Sequence, residues 1–376
     1  MYRKKILFIS NTRADYGKIK SIILGCEKKF KTCIFVTGMH LLKEYGSTYI
    51  QILKDCKKTE IYRYKNQTKN LTQDIILANT IYGFNKYLKK IKPDLIITHG
   101  DRIETLAAAI SGSVNNFLVT HIEGGELSGT IDEHLRHSIS KLSHLHFVSN
   151  QSAKKRLSQM GEKKNSIFET GSPDLDIMKD RNLPSLSDVK KRYKINFKDY
   201  IISIFHPVTT ELSQLSSQTN IYFNALRNSD KKIILIYPNN DPGSKIILNK
   251  ILKYKKNKNI KIIKSMRFEY FLRLLKECKL IIGNSSSAIR EAPFYGVPTI
   301  NVGSRQNQRA LNIKSIFNVN FDTFKILKKI NYLYGRKYKK NYSFGRGNST
   351  QKILKILNSK SFWKTSLQKK FVSLNQ

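Results

Sequence analysis

Short runs of apolar and β-branched residues alternate with amphipathic stretches along the whole chain. The runs show little polar alternation, which is typical of strands in a parallel sheet that is covered on both faces. In the first half, the predicted strands are KKILFIS, CIFVTG, DLIITHGD, NFLVTHIEGG and HLHFVSN. The stretches between them have helical periodicity, and the predicted helices are Lys18–Lys29, Asp74–Lys89, Glu104–Ser113 and Ile131–Ser143.

The same alternation starts again after a stretch marked by proline and lysine near residues 173–193. The predicted strands of this second series are YIISIFHP, KIILIYPNN, IKIIKS, CKLIIGNSS and VPTINVG. Two βαβ series predict an α/β protein with two doubly wound, Rossmann-like domains that face each other across a cleft. We place the first domain at residues 1–178 and the second at 179–348. We expect the helix-like segment that begins the remaining residues, 349–376, to pack back on the first domain.

Polar and ionisable residues follow most of the predicted strands. The carboxyl ends of parallel strands share one edge of a sheet, and ligands bind at that edge. The side chains expected there are Arg13, Asp15, Lys18, Asp101, Arg102 and Glu123 in the first series and His206, Asn239, Asp241 and Arg305 in the second. Solvated surface charges alone would not be placed so regularly.

The segment GNSSS, residues 283–287, follows a predicted strand and opens a predicted helix. Backbone N–H groups and hydroxyls at a helix N-terminus suit a diphosphate, which makes Ser285 and Ser286 candidate ligands. Glu291, about two turns later, is placed to accept hydrogen bonds from a ribose diol. An ordinary serine-rich helix cap is the alternative interpretation. No GxGxxG motif follows the first strand and no Walker motif occurs, which disfavours NAD and ATP.

Acidic residues gather at residues 121–137, HIEGGELSGTIDEHLRH, although the chain is strongly basic. No Lys or Arg occurs from Ile103 to Leu135. Carboxyl groups held close together without a lysine would raise one another's pKa, as acid–base catalysis at neutral pH requires. The carboxyls of this segment are therefore candidates for general acid–base catalysis.

Each acid of this segment also has a structural interpretation. Glu133 fits a capping box with Thr130, and Asp132 is spaced to pair with Arg136 on a helix surface. Glu123 is harder to explain structurally, because the two glycines after it permit close approach of a ligand to the backbone.

The net charge of +41 arises from 68 Lys and Arg against 27 Asp and Glu. Such an excess attracts nucleic acid, anionic membranes or anionic substrates. The lysines are spread over the whole length and the basic stretches lack interleaved aromatics, so we favour an anionic small substrate over nucleic acid. No apolar run could span a membrane, no signal peptide is recognisable, and the four cysteines lack paired spacing. These features predict a cytoplasmic protein without membrane partners.

The histidines do not form a recognisable metal motif. His134 and His137 are three residues apart, and no HExxH sequence occurs. We expect packing or hydrogen-bonding roles for them and predict no metal.

The motifs TRADYGK, HGDRIETLA, HIEGGELSGTIDEHLRHSISKL, HPVTT, GNSSSAIREA and GSRQ occur in this order. From about residue 4 to 310, the chain thereby resembles the hydrolysing UDP-N-acetylglucosamine 2-epimerases of sialic acid biosynthesis. It is similar also to the epimerase half of the animal bifunctional epimerase/kinase. TRADYGKIKS and ANTIYGFNKYL resemble the branch that makes legionaminic acid precursors from nucleotide-linked N,N′-diacetylbacillosamine. The family fold is similar to that of the two-domain B-type glycosyltransferases (GT-B).

The resemblance implies a reaction that needs no cofactor. UDP is eliminated to give a 2-acetamidoglucal, and water then adds to give a free sugar of the manno configuration. The family tends to form dimers or tetramers, so we expect a homodimer or homotetramer. The nucleotide, UDP or GDP, and the sugar, N-acetylglucosamine or N,N′-diacetylbacillosamine, stay open.

The resemblance also implies roles for individual residues. Asp101, Glu123 and Asp132 are acid–base candidates at the sugar, with their individual roles open, and His206 is a catalytic candidate beside the nucleotide. Together with the residues at strand ends, the candidates for nucleotide and substrate binding are Arg13, Lys18, Arg102, Asn239, Ser285, Ser286, Glu291 and Arg305.

Two other functions compete with this interpretation. A GT-B glycosyltransferase that uses a nucleotide sugar would share the nucleotide-binding half, but it need not carry the acidic segment. A nucleic-acid-binding protein would explain the positive charge and leave the acidic segment unexplained.

Overall fold

The computed structural model describes residues 3–68, 71–179, 183–306, 309 and 312–373. The chain forms two compact units. The first comprises Met1–Glu126, Asp132–Lys179 and Ser343–Gln376, and the second comprises Leu127–Ile131 and Asp180–Tyr342. The domain boundaries that we placed after residues 178 and 348 stay predictions. None of the helices within the described ranges is long and apolar enough to cross a membrane.

The first unit contains a seven-stranded parallel sheet with the strand order β3-β2-β1-β4-β5-β6-β7. Its strands are β1 (Lys5–Ser10), β2 (Lys31–Val36), β3 (Glu60–Arg63), β4 (Leu95–His99), β5 (Val119–Ile122), β6 (Leu145–Val148) and β7 (Ile167–Glu169). Its helices are α1 (Arg13–Cys26), α2 (Tyr49–Asp55), α3 (Gln73–Ile91), α4 (Ile103–Val114), α5 (Ile131–Leu142), α6 (Gln151–Gln159), α7 (Asp174–Lys179) and, after the second unit, α14 (Ser349–Leu357).

The second unit contains a six-stranded parallel sheet with the order β10-β9-β8-β11-β12-β13. Its strands are β8 (Ile201–Ile204), β9 (Ile233–Ile236), β10 (Ile260–Ile263), β11 (Leu280–Gly283), β12 (Thr299–Val302) and β13 (Ile316–Val319). Its helices are α8 (Leu186–Tyr193), α9 (Leu215–Asn228), α10 (Ser244–Leu252), α11 (Phe268–Glu277), α12 (Ser286–Tyr295) and α13 (Thr323–Leu333). All ten strands predicted from the apolar runs are present, and the α/β class with two parallel sheets is confirmed.

The first sheet is covered on both faces, which explains the continuous apolar runs. In β1, Ile6 and Phe8 belong to one buried cluster, while Leu7 and Ile9 belong to another. Alternate side chains of a strand point to opposite faces, so both faces need apolar residues at every position.

The strands β3, β7 and β13 were missed by the sequence prediction. All three lie at an edge of their sheet. Their residues EIYR, IFE and IFNV are short stretches, and most of them are only partly buried. An edge strand pairs on one side alone, so it can form without the long apolar run that identifies a central strand.

Helix α1 begins five residues earlier than predicted. Thr12 is its N-cap, and the Thr12 hydroxyl accepts a hydrogen bond from the backbone N–H of Asp15 at 3.1 Å. A capping hydroxyl satisfies an N–H group that has no partner within the helix. Arg13, Asp15 and Lys18 therefore lie on the first turns of α1 and not in the preceding loop.

Helix α14 packs against α1 in the first unit and is anchored by Asp176. The two carboxylate oxygens of Asp176 accept the backbone N–H groups of Ser349 and Thr350, at 2.8 and 2.6 Å. Ile353 and Leu357 of α14 complete the core cluster that contains Ile6 and Phe8. The C-terminal residues are thus part of the first unit's core.

Replacing Asp176 with alanine is expected to lower the free energy of unfolding by about 1–2 kcal/mol, because two N–H groups at the start of α14 lose their acceptor. Chemical denaturation would measure the change. Asp199→Ala is the control, because Asp199 forms only a half-exposed ion pair with Lys279 and its loss should cost less than about 1 kcal/mol. Equal effects of the two substitutions would contradict the capping role.

Candidate functional site

In the first unit, a buried histidine lies between two carboxylates at the carboxyl ends of the strands. His99, the last residue of β4, contacts Asp15 of α1 through Nδ1 at 2.7 Å and Glu123, just after β5, through Nε2 at 3.4 Å. All three side chains are less than one-tenth exposed. The sequence placed Asp15 and Glu123 at this edge, and the structure adds the histidine that joins them.

A chain of hydrogen bonds continues from Asp15 into the core. The Ser10 hydroxyl donates to the Asp15 carboxylate at 2.9 Å and contacts Nε2 of His40 at 3.0 Å. Nδ1 of His40 contacts the Thr48 hydroxyl at 2.6 Å. Burial lowers the pKa of His40 to about 4, so this imidazole is neutral at pH 7. A neutral His40 donates from Nε2 to Ser10, so each hydrogen bond from Thr48 through His40 and Ser10 is donated in the direction of Asp15.

Glu123 is held in an unusual backbone conformation. Its φ angle of +67° lies in the left-handed region, which non-glycine residues other than Asn and Asp rarely adopt. The Ser172 hydroxyl donates to its carboxylate, and its backbone N–H donates to the carbonyl of Phe147 at 2.9 Å. A strained, buried and oriented carboxylate is typical of a functional position.

His99 carries a positive charge at neutral pH. Burial by itself would lower the pKa of His99, but the carboxylates of Glu123 and Asp15 outweigh it and raise this pKa to about 9. The ordinary value is about 6.5. Because the pKa is raised on folding, the charged contact is fully present below about pH 6.5 and is lost as the pH rises through 9.

The ring of His99 is therefore expected to lose its proton with a midpoint near pH 9. Multiple-bond ¹⁵N–¹H spectra of protein labelled at histidine would show it. The internal control is His121 on the neighbouring strand β5, where burial lowers the pKa to about 3 and the ring contacts the Gly100 carbonyl at 2.8 Å. His121 should be neutral from pH 5 to 9. A neutral His99 at pH 7 would contradict the assignment.

Asp101 is paired with a buried arginine. The Arg136 guanidinium donates to the Asp101 carboxylate and, through Nη1, to the backbone carbonyl of Glu126 at 2.9 Å. Burial opposes the charge of Arg136, but Asp101, Glu126 and Asp132 together raise its pKa. Asp101 and Asp132 are thus brought near one guanidinium.

This arrangement corrects the interpretation of the segment without Lys or Arg. We expected its carboxyls to have no cationic neighbour, and a surface pair between Asp132 and Arg136 was the alternative, structural interpretation. Arg136, the first residue after the segment, is 1% exposed, pairs with Asp101, and lies near enough to Glu126 and Asp132 for both to raise its pKa. Helix α5 turns the Arg136 side chain towards the interior. The absence of Lys and Arg from the sequence of the segment therefore does not mean that its carboxyls lack a cationic neighbour in the structure.

The two glycines after Glu123 are required by the packing of the protein, and the approach of a ligand to their backbone, which we expected from the sequence, stays a prediction. A Cβ at Gly124 would lie 2.6 Å from the Ser140 hydroxyl, and one at Gly125 would lie 2.5 Å from the Ala153 carbonyl oxygen. Helices α5 and α6 therefore occupy the space that the missing side chains leave.

The cationic candidates of the first unit lie near carboxylates. Nζ of Lys18 is 3.3 Å from the buried Asp174 carboxylate, and Nε of Arg102 is 3.5 Å from that of Glu104. Arg13 is partly buried on the first turn of α1.

In the second unit, an asparagine side chain fixes His206. Asn284 accepts the backbone N–H of His206 at 2.7 Å and donates to its carbonyl at 2.8 Å. Nδ1 of His206 accepts the backbone N–H of Asn239 at 3.1 Å, so the neutral imidazole carries its hydrogen on Nε2. Arg305 donates to the Asn284 carbonyl at 3.2 Å. The structure thus brings together His206, Asn239 and Arg305.

The GNSSS segment forms the predicted turn from strand to helix. Ser285 is the N-cap of α12, where its hydroxyl accepts from the N–H of Ser287, and Ser286 is the first helical residue. Gly283 has a φ of +136°, and a Cβ there would lie 1.9 Å from the Ile204 carbonyl oxygen. Glu291 is 1% exposed on the same helix.

Several residues of these networks were not recognised from the sequence. Ser10, His40 and Asn284 were not singled out, Arg136 was considered only as a surface partner of Asp132, and His99 was assigned only a packing or hydrogen-bonding role. Gly129 is another: its N–H donates to the Arg305 carbonyl at 3.0 Å, and a Cβ there would lie 2.0 Å from the Ser304 carbonyl oxygen. The only available signal for His99 was its position at a strand end, two residues before Asp101.

Comparison with known proteins gives one consistent family. A sequence profile described as UDP-N-acetylglucosamine 2-epimerase matches residues 24–358. The chain is 45% identical to a UDP-N-acetylglucosamine 2-epimerase of Neisseria meningitidis, with 99% of this chain and 100% of that protein covered. It is 36% identical to a hydrolysing UDP-N,N′-diacetylbacillosamine 2-epimerase of Legionella pneumophila, with 81% and 82% covered.

The fold is also similar to solved structures. The UDP-GlcNAc 2-epimerase of Methanocaldococcus jannaschii, in complex with UDP-GlcNAc and UDP, superposes with a TM-score of 0.80. The two sequences are 24% identical, and the comparison covers 94% of this chain and 99% of that one. The GT-B-like fold class predicted from the sequence is confirmed by this similarity.

Proposed function

Because the chain belongs to the UDP-N-acetylglucosamine 2-epimerase family, we propose that it is a hydrolysing 2-epimerase of a nucleotide-linked 2-acetamido sugar. Its substrate is UDP-N-acetylglucosamine or N,N′-diacetylbacillosamine linked to UDP or GDP. The product is then N-acetylmannosamine or 2,4-diacetamido-2,4,6-trideoxymannose, used in nonulosonic acid biosynthesis. The names of the Neisseria and Legionella relatives support one substrate each, and the second name supports the hydrolysing reaction.

The proposed reaction has two steps. A base removes the proton at C2, the C1–O bond to the nucleotide breaks, and its electron pair leaves with the diphosphate, which gives a C1–C2 double bond. Water then adds its hydroxyl at C1, and an acid returns a proton to C2 from the opposite face. The C2 proton is not adjacent to a carbonyl, so its removal requires the nucleotide to be leaving already. Cations at the diphosphate and positioned carboxyls at the sugar lower these barriers.

The observation that carries the proposal is the geometry of Glu123. A strained backbone, a donated hydroxyl from Ser172 and a charged His99 hold one carboxylate in a fixed orientation, as proton transfer requires. We assign proton transfer to Glu123 and Asp132. Asp101, paired with Arg136, suits a charge-stabilising or proton-accepting role better than that of a proton donor.

We assign the nucleotide chiefly to residues of the second unit. Ser285 and Ser286 at the start of α12 offer N–H groups and a helix dipole to a diphosphate, and Arg305 offers a charge. His206, with its hydrogen on Nε2, is able to donate to the leaving oxygen. Arg13, Lys18, Arg102, Asn239 and Glu291 are kept as further candidates for substrate binding.

Arg305→Ala is expected to weaken UDP binding about tenfold or more, because a charge-assisted hydrogen bond to phosphate is lost. Isothermal titration calorimetry would measure it. Arg336→Ala, which removes an exposed arginine that lies over Tyr332, is the matched control and should leave the affinity unchanged. Unchanged affinity in Arg305→Ala would reject the assignment.

The function itself is tested by proton NMR in D₂O. The protein is incubated with UDP-N-acetylglucosamine and, separately, with UDP- and GDP-N,N′-diacetylbacillosamine, without any acceptor. Release of nucleotide with a free sugar of the manno configuration, deuterated at C2, is the expected result, and the preferred substrate follows from the rates. No release despite nucleotide binding would favour the glycosyltransferase alternative, since a transferase needs an acceptor.

A further inference from the structure

A cavity of about 630 Å³ lies in the first unit, where the residues after α14 cover the beginning of β6 and the region around β7. We call it the C-terminal pocket. Its volume is in the range of pockets that bind small organic molecules. None of the residues that we assign to the proposed reaction lines it.

The lining of the C-terminal pocket is strongly cationic. Its lysines are Lys163, Lys355, Lys364, Lys369 and Lys370, and its one acidic residue is Glu162. Five cations around one cavity repel one another, and the repulsion is relieved when an anion enters.

The carboxylate of Glu162 already forms ion pairs with cationic side chains of the protein. It lies 2.8 Å from Lys369 Nζ, 3.0 Å from Lys141 Nζ and 3.0 Å from Nε2 of His146. Lys369 also donates to the backbone carbonyls of Ser140, Lys141 and Ser143. These hydrogen bonds fix the C-terminal segment to the end of α5.

The other four lysines of the pocket have no such partner. Among the residues that the structure describes, no carboxylate lies within ion-pair distance of Lys163, Lys355, Lys364 or Lys370. These four side chains are exposed at the rim, free to turn towards a ligand. Several cationic side chains at the rim are therefore able to contact one ligand.

The floor of the pocket is apolar. Leu145, Phe168 and Phe362 line it, and the ring of Phe147 stacks on that of Phe362 with centroids 6.3 Å apart. Phe147 also packs against Phe168, at 5.8 Å. Fixed aromatic rings suit a flat, apolar part of a ligand.

The hydroxyls of the pocket are largely engaged. Ser359 donates to the Ile356 carbonyl at 2.7 Å, and Thr365 donates to the Phe362 carbonyl at 2.7 Å. Recognition of an anion therefore depends on the lysines.

We infer that the C-terminal pocket binds a small organic anion that has two or more negative charges and a flat ring, the chemistry of a nucleoside diphosphate. The four rim lysines contact the anionic groups, and the ring lies on the apolar floor. The site does not depend on the proposed reaction, because it uses different residues of the first unit.

The probe is ADP with a fluorescent N-methylanthraniloyl group, and fluorescence anisotropy of the full chain at 150 mM salt measures its binding. Citrate competition tests whether charge alone is sufficient. The variant Lys355→Gln/Lys364→Gln is expected to raise the Kd for the ADP probe about tenfold. The matched control, Lys57→Gln/Lys58→Gln, removes the same charge from an exposed turn of the same unit and should change the Kd less than twofold.

A second variant keeps every charge and fills the cavity. Ser359→Trp is expected to raise the Kd for the ADP probe about tenfold, while thermal unfolding shows that the protein stays folded. Equal weakening by the two lysine pairs would overturn the inference in favour of general attraction to a basic protein. So would citrate that competes as well as ADP, or unchanged affinity in folded Ser359→Trp.

Discussion

Replacing Glu123 with glutamine is expected to lower kcat by roughly 10²–10⁴-fold, the usual loss when a general acid or base is removed. Glutamine preserves the size of the side chain, but one of the two oxygens that face Ser172 and His99 becomes an NH₂ group, and the side chain does not exchange a proton. The nucleotide groups that we assign to the second unit are unchanged, so UDP affinity should stay within about tenfold. The rate of nucleotide release from the preferred substrate measures the effect.

The control for this prediction is Glu169→Gln, the same substitution at an exposed position on the edge strand β7. Its rate should equal that of the wild type. A wild-type rate in Glu123→Gln would remove Glu123 from the mechanism, and a loss of UDP affinity comparable to the loss of rate would show a binding role. Since His99 keeps its second partner, Asp15, the variant is expected to fold.

Arg136→Met is expected to lower the free energy of unfolding by about 3–5 kcal/mol, the cost of removing one partner of a buried ion pair. The side chain of Arg136 is 1% exposed, and its loss leaves the Asp101 carboxylate and the Glu126 carbonyl without their donor. Urea denaturation followed by far-UV circular dichroism would measure the change. Arg227→Met removes an exposed arginine of α9 and should change stability by less than about 0.5 kcal/mol.

A second variant separates two contributions to the lost stability, that of the unpaired Asp101 charge and that of the lost packing. In Asp101→Leu/Arg136→Met both charges are replaced by apolar groups, and this variant is expected to recover part of the lost stability. Equal stability of the single and double variants would show that the cost of Arg136→Met is steric. Activity is not expected to return, because Asp101 is one of the three acidic candidates.

The central strands were predictable because each is buried on two faces and must be apolar throughout. β3, β7 and β13 were not, since an edge strand needs only one paired side. The start of α1 was missed for a related reason. Asn11, Arg13 and Asp15 look like a polar loop, but Thr12 caps the helix there and the inner side of the first turn faces the end of β4.

The polar side chains of the site were predictable from their places after strands, but their partners were not. Glu123 and Asp15 are 108 positions apart in the sequence, and only the order of the strands brings His99 to both. For Arg136, a partner was identified from the sequence, but the burial of the side chain was not predicted. Arg136 was considered only as a surface partner of Asp132, because helical spacing alone does not tell which face of α5 is buried.

The first unit is interrupted by the second, and this has a consequence for synthesis on the ribosome. Its sheet is translated by residue 169, but Ile353, Leu357 and Phe362 of its core follow only after the whole second unit. At roughly 5–20 residues per second, the nascent sheet waits about 10–40 s with an apolar face uncovered. The second unit is thus able to fold first, and the open face of the waiting sheet is where a chaperone would be needed.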